Sequence, residues 1–68
     1  MKTPQNDQVA PGQLAYDPAS GQLGVLQSVH PRRELLFDPK VAGTRIAFLR
    51  PEGGGPEWTA NADDLLSA

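Results

Sequence analysis

The clearest pattern in the chain is an alternation of apolar and polar residues over positions 22–29. The apolar residues at odd positions are Leu23, Val25 and Val29. A period of two predicts a half-buried β-strand, interrupted only at Leu26 and Gln27. Gly24 predicts a bulge or bend within it. Pro31 predicts the end of the strand, because proline has no N–H group for a sheet ladder.

Two more strands are predicted on either side of this one. A short run at 13–16 ends at the turn signal of Asp17 and the proline that follows it. The run 44–50 alternates its larger apolar side chains and stops at Pro51. The chain therefore contains at least three short strands separated by turns.

The triple glycine at 53–55 predicts a hairpin tip, after which residues 57–60 return as the partner strand of 44–50. The stretch 34–37 fits either a short strand or one turn of helix, since periodicity does not distinguish them over four residues. Residues 61–66 predict a single helical turn that begins at the capping side chain of Asn61.

Several short strands at close spacing predict a mostly β protein with a small, strongly bent antiparallel sheet. We place this single domain at 9–68. Residues 1–8 are polar and lack an apolar anchor, so we expect a disordered N-terminal arm there.

Composition narrows the class of protein. Sixty-eight residues, of which 38% are hydrophobic and 21% charged, suffice for one small domain. With no cysteine, disulfide bonds and thiolate metal sites are excluded as supports. The longest apolar runs are a few residues, whereas a membrane-spanning helix needs about 20. The first residues lack the apolar segment of a secretory signal, and we expect a cytoplasmic protein.

The run Leu49 to Trp58 reads L-R-P-E-G-G-G-P-E-W, preceded by L-A-Y-D at 14–17 and G-V-L at 24–26. It resembles a group of small uncharacterised actinomycete proteins with an L-R-P-x-G-G-G-x-E-W signature. The resemblance covers the last third of the chain and two strands, and it implies a fold but no chemistry. The segment 31–41 is additional to the compact pattern of that group.

A second resemblance is to SH3-type barrels. Its residues are L-A-Y-D at 14–17, E-L-L-F at 34–37, G-T-R-I at 43–46 and Trp58. The resemblance implies a small SH3-like barrel of about five short antiparallel strands with a C-terminal helical turn. The second tyrosines and the terminal P-x-N-Y-V strand of SH3 domains are absent, so a groove for proline-rich peptides is not implied.

Candidate catalytic groups are few. His30 is the single histidine, so no nucleophile–base set and no zinc site are predicted. Asp63 and Asp64 follow a capping residue and fit partners of a helix dipole better than an acid–base pair. The glycines at 53–55 lack the lysine and the helix of a phosphate-binding loop. We predict no enzymatic activity, no cofactor and no metal ion.

Charge is uneven along the chain. Residues 30–50 carry five basic and two acidic side chains, a local charge of +3, whereas residues 51–68 carry four acids and no base. The basic region suggests nucleic-acid binding as an alternative function. Its candidate contacts are Arg32, Arg33, Lys40 and Arg45. The overall pI of about 5.0 argues against this alternative.

The preferred hypothesis is a non-enzymatic protein interaction module, an accessory or regulatory subunit that docks on a larger protein. We predict that Tyr16, Phe48 and Trp58 lie near one another, with Trp58 beside Arg50 as an anchor. The predicted partner-binding residues are Trp58, Arg50, Arg45, Tyr16 and Phe48. A homodimer is a second arrangement that fits the split charge.

Overall fold

The computed structural model describes residues 9–68, which contain five β-strands and two short 3₁₀ helices. The strands are β1 (Leu14–Asp17), β2 (Gln22–Pro31), β3 (Arg45–Pro51), β4 (Trp58–Asn61) and β5 (Leu66–Ser67). The helices are Arg32–Glu34 and Ala62–Asp64. The strands form one antiparallel sheet in the order β4-β3-β2-β1-β5. The arm predicted at 1–8 lies outside the described residues.

The hairpin of β1 and β2 is closed by Asp17. This residue ends β1, one position beyond the predicted strand, and pairs with Gln22 across the turn. Its carboxylate accepts hydrogen bonds from the Ala19 N–H (3.1 Å) and the Ser20 hydroxyl (2.7 Å). Gly21 completes the turn with a φ of +72°, a conformation that glycine adopts without steric cost.

The long strand β2 contains a bulge at Gln27. Leu26 pairs with Leu49, and Ser28 pairs with the adjacent Phe48, so Gln27 is an extra residue on β2. Because side chains alternate between the faces, this extra residue reverses the face on which each later residue of β2 lies. The interruption of the apolar alternation at this point is the sequence signal of the bulge.

The prediction of a bulge at Gly24 is therefore wrong. Gly24 pairs regularly with Ala15 on one side and Pro51 on the other. A Cβ atom at this position would lie 2.6 Å from the ring of Trp58 and 2.6 Å from the Arg50 carbonyl oxygen. The glycine is needed because the Trp58 ring packs directly on the backbone of β2.

The prediction that Pro31 marks the end of β2 is confirmed, and the strand includes Pro31 itself, paired with Arg45. The next ladder bond is made by Arg32, whose N–H donates to the Thr44 carbonyl at 2.7 Å. Successive backbone nitrogens point to opposite sides of a strand, so the nitrogen of Pro31 points away from β3 and no ladder bond is lost.

The predicted hairpin of β3 and β4 is confirmed, with β3 beginning at Arg45 and β4 at Trp58. The residues between Glu34 and Arg45 form neither of the alternatives predicted for 34–37: the first 3₁₀ helix ends at Glu34 and irregular backbone follows. We call the residues 35–44 the β2–β3 loop.

The predicted helical turn near the C-terminus is only a 3₁₀ helix, Ala62–Asp64. Asn61 caps it as predicted, its side-chain oxygen accepting the Asp63 N–H at 3.1 Å. The turn is not the end of the fold, because Leu66 then enters β5 and pairs with Tyr16 of β1. Leu65 between them is buried.

One face of the sheet, the inner face, carries the hydrophobic core. Its buried residues are Ala15, Leu26, Ala47, Leu49, Ala60 and Leu65, none more than 6% exposed. Three of the six are alanines, so the strands and the Trp58 ring approach closely. Such a core buries little apolar area per residue and so contributes little to stability, as expected for a domain of this size.

The opposite, outer face carries two kinds of surface. At one end Phe48 and Ile46 lie opposite Ser28 and His30, and the β2–β3 loop packs on Phe48 while His30 stays exposed. At the other end Tyr16 of β1, Leu23 of β2 and Leu66 of β5 lie opposite one another and are exposed. This uncovered end forms the candidate site.

The prediction of a mostly β fold of five short antiparallel strands is confirmed. Within residues 9–68 the sheet is open, with β4 and β5 as its edges, so a closed barrel is not observed. Neither helix of the described chain has the length and apolarity to cross a membrane.

Candidate interaction surface

Five apolar side chains form two adjacent rows on the uncovered end of the outer face. We call them the outer strip: Leu14, Tyr16, Leu23, Val25 and Leu66. The register places Leu66, Tyr16 and Leu23 opposite one another on β5, β1 and β2, and Leu14 opposite Val25 in the next row. Tyr16 is 37%, Leu23 40% and Leu66 54% exposed. Contiguous apolar surface of this kind is typical of contact sites.

The β2–β3 loop borders the strip. Phe37 meets Phe48 edge to face at 6.1 Å between ring centroids, and His30 meets the same ring at 5.5 Å. Leu36 beside Phe37 is fully exposed and Phe37 is 54% exposed. The loop therefore packs on Phe48 of the outer face and leaves Leu36 and Phe37 exposed.

The loop then passes around the edge of β4. The Thr59 hydroxyl donates to the Pro39 carbonyl at 3.1 Å, and Pro39 is buried. Arg32 holds the far end of the loop: its Nε donates to the Gly43 carbonyl at 2.7 Å and a second guanidinium nitrogen donates to the Val41 carbonyl. A planar guanidinium suits this fork of two acceptors. The loop is thus fixed at both ends.

The structure does not bring the three predicted aromatic side chains together. Trp58 pairs with Leu49 and lies on the inner face, whereas the adjacent Phe48 and the distant Tyr16 lie on the outer face. The prediction is wrong because successive residues of β3 point to opposite sides of the sheet. Tyr16 remains available for contact, and Phe48 is half-covered by the loop.

Trp58 has a structural role in the fold. Its indole N–H donates to the buried Asp17 carboxylate at 2.9 Å, and its ring packs on Gly24. This bond joins the β1–β2 turn to β4, two elements separated by 41 positions in the sequence. Trp58 therefore does not stand beside Arg50 as an exposed anchor, because Arg50 faces outward.

Two of the predicted arginines form exposed ion pairs. Arg50 lies opposite Val25, at the border of the outer strip, and its guanidinium is 3.0 Å from the Glu57 carboxylate. Arg45 is 2.6 Å from Asp63. Exposed pairs of this kind stabilise a fold weakly, so both arginines can exchange partners at low cost.

The four candidate nucleic-acid contacts are not equivalent. Arg32 is bound to loop carbonyls and lies 3.8 Å from Asp38, and Arg45 is paired. Arg33 and Lys40 are exposed, and among residues 9–68 neither forms a salt bridge. The basic segment of the sequence therefore does not form one continuous basic surface.

A serine–histidine contact occurs on β2 and was missed by the sequence reasoning. The Ser28 hydroxyl is 3.1 Å from His30 Nε2, because residues two apart on a strand share a face. Within the described chain the His30 side chain has no other hydrogen bond, and its ring meets Phe48 edge to face. Nucleophilic catalysis requires a base that a third group orients, and among the described residues no group bonds the second ring nitrogen of His30.

A cavity of about 370 Å³ lies between the β1–β2 turn, β4 and the loop. Its polar lining residues are Asp17, Ser20, Lys40, Thr59, Asn61 and Asp64. Several of these groups already bond within the chain: Asp17 accepts three hydrogen bonds, Thr59 donates to a carbonyl and Asn61 caps a helix. The cavity offers few polar groups to a ligand. Residues 9–68 contain no cluster of three or more metal-ligating side chains.

The sequence reasoning also missed Leu23 and Leu66 as surface residues. The alternation of β2 assigned Leu23 to the same face as Val29, but the bulge separates their faces. For Leu23 the sequence did contain a signal: the short turn after β1 fixes the pairing of Leu23 with Tyr16, so the two side chains share a face. Leu66 carried no signal, because a two-residue strand has no periodicity.

No protein family, curated protein or solved structure was found to match this chain.

Proposed function

We propose that this chain is a non-enzymatic interaction module, an accessory or regulatory subunit that docks on a larger protein through the outer strip. The observation that carries the proposal is the uncovered apolar surface of Tyr16, Leu23 and Leu66 on a sheet whose neighbouring rows are covered by the chain's own loop. A partner that buries these side chains gains the free energy of removing apolar area from water.

Among the predicted partner-binding residues, Tyr16 and Arg50 carry the contact in this proposal. Tyrosine combines a large apolar ring with a polar hydroxyl, and arginine at a border adds a charge-assisted bond, which is why both are frequent at interaction hot spots. Phe48 contacts the β2–β3 loop through Phe37, and Arg45 pairs with Asp63 of the second 3₁₀ helix, so both support the fold around the surface. Trp58 acts indirectly by fixing β4 against the β1–β2 turn.

We further propose that the module is an SH3-like barrel in its architecture. Support comes from the bulge that bends the ten-residue β2, and from β1, which pairs with β2 on one side and with the last strand on the other. A 3₁₀ helix directly before β5 returns the chain to β1.

The experiment is a quantitative pull-down from an extract of the source cells with the full chain immobilised. It compares the wild type with Tyr16→Glu, which places a charge in the strip, and with Thr44→Glu, which adds the same charge at an exposed position before β3. We expect one or more proteins to be retained by the wild type and by Thr44→Glu and lost from Tyr16→Glu. Circular dichroism checks that both variants fold. Equal retention of every captured protein by a folded Tyr16→Glu variant would refute the role of this surface.

A further inference from the structure

The border of the outer strip carries charges of both signs side by side. The row that contains Leu14 and Val25 continues into Arg50 on β3, and Arg50 pairs with Glu57 just before β4. Glu52 follows at the end of β3, where its N–H donates to the Leu23 carbonyl at 3.4 Å. The strip itself is uncharged. A surface with this border is complementary to a copy of itself turned by a twofold axis.

We propose that the free chain covers its outer strip with the outer strip of a second copy, forming a twofold-symmetric dimer. This inference rests on the proposed function, since it concerns the same surface: the dimer and docking on the larger protein exclude each other. In the dimer Arg50 of one copy faces Glu57 of the other, and each guanidinium exchanges its own carboxylate for that of its partner. The two sheets pack face to face, as sheets with an apolar face commonly do.

Other occupants fit the border less well. A partner with a strongly acidic or strongly basic contact surface would place a like charge against either Glu57 or Arg50. Residues 1–8 contain no run of apolar side chains to lay on the strip. A formal net charge of −2 causes little repulsion between two copies.

The size of the surface predicts a weak dimer. A stable interface buries roughly 600–800 Å² on each partner, about one sixth of the 4471 Å² accessible surface of this chain. The five side chains of the strip provide only part of this area, and two of them, Leu14 and Val25, are half-buried within the chain. We therefore expect dissociation in the micromolar range, so that a larger partner can displace the second copy.

The test is sedimentation velocity of the full chain at concentrations from about 1 to 100 μM, which span a micromolar equilibrium. The wild type is expected to shift from monomer to dimer over this range. Leu23→Glu, which brings two carboxylates into the dry centre of the interface, is expected to weaken association at least about tenfold, whereas Thr44→Glu is expected to leave it unchanged.

A charge exchange between two chains gives a sharper result that does not depend on Leu23. At positions 50 and 57 Arg50→Glu carries two carboxylates and Glu57→Arg two guanidinium groups, so both contacts across the twofold axis become repulsive and each variant alone is expected to be monomeric. An equimolar mixture is expected to form heterodimers, because both contacts across the twofold axis are then of opposite sign. Both variants lose the ion pair within the chain, so only a contact between chains explains the rescue.

A wild-type chain that stays monomeric at every concentration would overturn the second-copy inference, and the strip would then be covered by a larger protein or by residues 1–8. A dimer that Leu23→Glu leaves intact and that shows no rescue in the mixture would overturn it as well. Neither result bears on the proposed function. That proposal fails only if the folded Tyr16→Glu variant retains every captured protein.

Discussion

Among residues 9–68, Asp17 is the only charged side chain that is buried, at 2% exposure. Its two carboxylate oxygens accept hydrogen bonds from the turn that follows β1 and from the indole of Trp58. A buried carboxylate is tolerated when its acceptor sites are occupied in this way. One residue thus fixes both the β1–β2 hairpin and the position of β4, and with them the register that exposes Tyr16 and Leu23.

We predict that Asp17→Ala lowers the free energy of unfolding by about 2–3 kcal/mol, because the Trp58 N–H and the turn donors lose their acceptor. This is a large share of the roughly 3–10 kcal/mol expected for a chain of this length. Asp17→Asn keeps one side-chain oxygen and is expected to lose about half as much. Urea denaturation followed by Trp58 fluorescence measures both.

Asp64→Ala is the matched control for this prediction, since Asp64 is exposed and forms no salt bridge within the described chain. Its effect is expected to stay within about 0.5 kcal/mol. Equal stability of the Asp17→Ala and Asp64→Ala variants would show that the Asp17–Trp58 bond does not hold the fold.

The β2–β3 loop is the element that decides which part of the outer face remains open. It has no regular secondary structure, yet it is fixed by Arg32 at one end and by the contact of Phe37 with Phe48 at the other. Side-chain bonds to backbone carbonyls here replace the ladder bonds that a strand would provide.

We predict that Arg32→Lys releases the loop without unfolding the sheet. A single ammonium group lacks the planar fork that reaches the carbonyls of Val41 and Gly43 together. The expected result is faster amide hydrogen exchange and faster proteolysis within 35–44, with exchange in β2 and β3 unchanged. Arg33→Lys, at an exposed neighbouring position, is the control and is expected to behave as the wild type. Unchanged protection of the loop in Arg32→Lys would contradict this account.

Local sequence patterns predicted where the strands lie better than they predicted which face of the sheet each side chain occupies. The alternation of β2 and the turn residues identified four of the five strands, because both depend on residues close in sequence. The face of Trp58 depends on the register of β4 with β3, and the side of Val29 depends on one inserted residue, Gln27. The short β5 depends on pairing with β1 alone. Partner residues chosen by type therefore included Trp58, which the fold uses internally.

At the scale of the whole molecule, ion pairs bring together basic and acidic side chains that lie in separate segments of the sequence. The basic segment 30–50 and the acidic segment 51–68 meet in space through Arg45 with Asp63 and Arg50 with Glu57. The local charge of +3 in the sequence is therefore largely balanced in the fold.

We predict that the chain does not bind DNA or RNA measurably, even at about 50 mM salt, where electrostatic binding is strong. Only Arg33 and Lys40 of the four candidate cations stand exposed without a salt bridge in the described chain. Fluorescence anisotropy with random single-stranded and double-stranded oligonucleotides measures this. Binding that weakens steeply with added salt and disappears in an Arg33→Ala, Lys40→Ala double variant would favour the nucleic-acid alternative.

The loop that passes along β4 also limits how such molecules can assemble. One edge strand of the sheet, β4, is contacted by the loop at Pro39, and the other edge strand, β5, has only two residues. Within the described residues, neither edge strand therefore presents a long row of unpaired amide and carbonyl groups, which is the kind of edge on which fibrils grow. Crowded copies of this chain should therefore form small finite complexes instead of amyloid, even though their apolar side chains lie open to water.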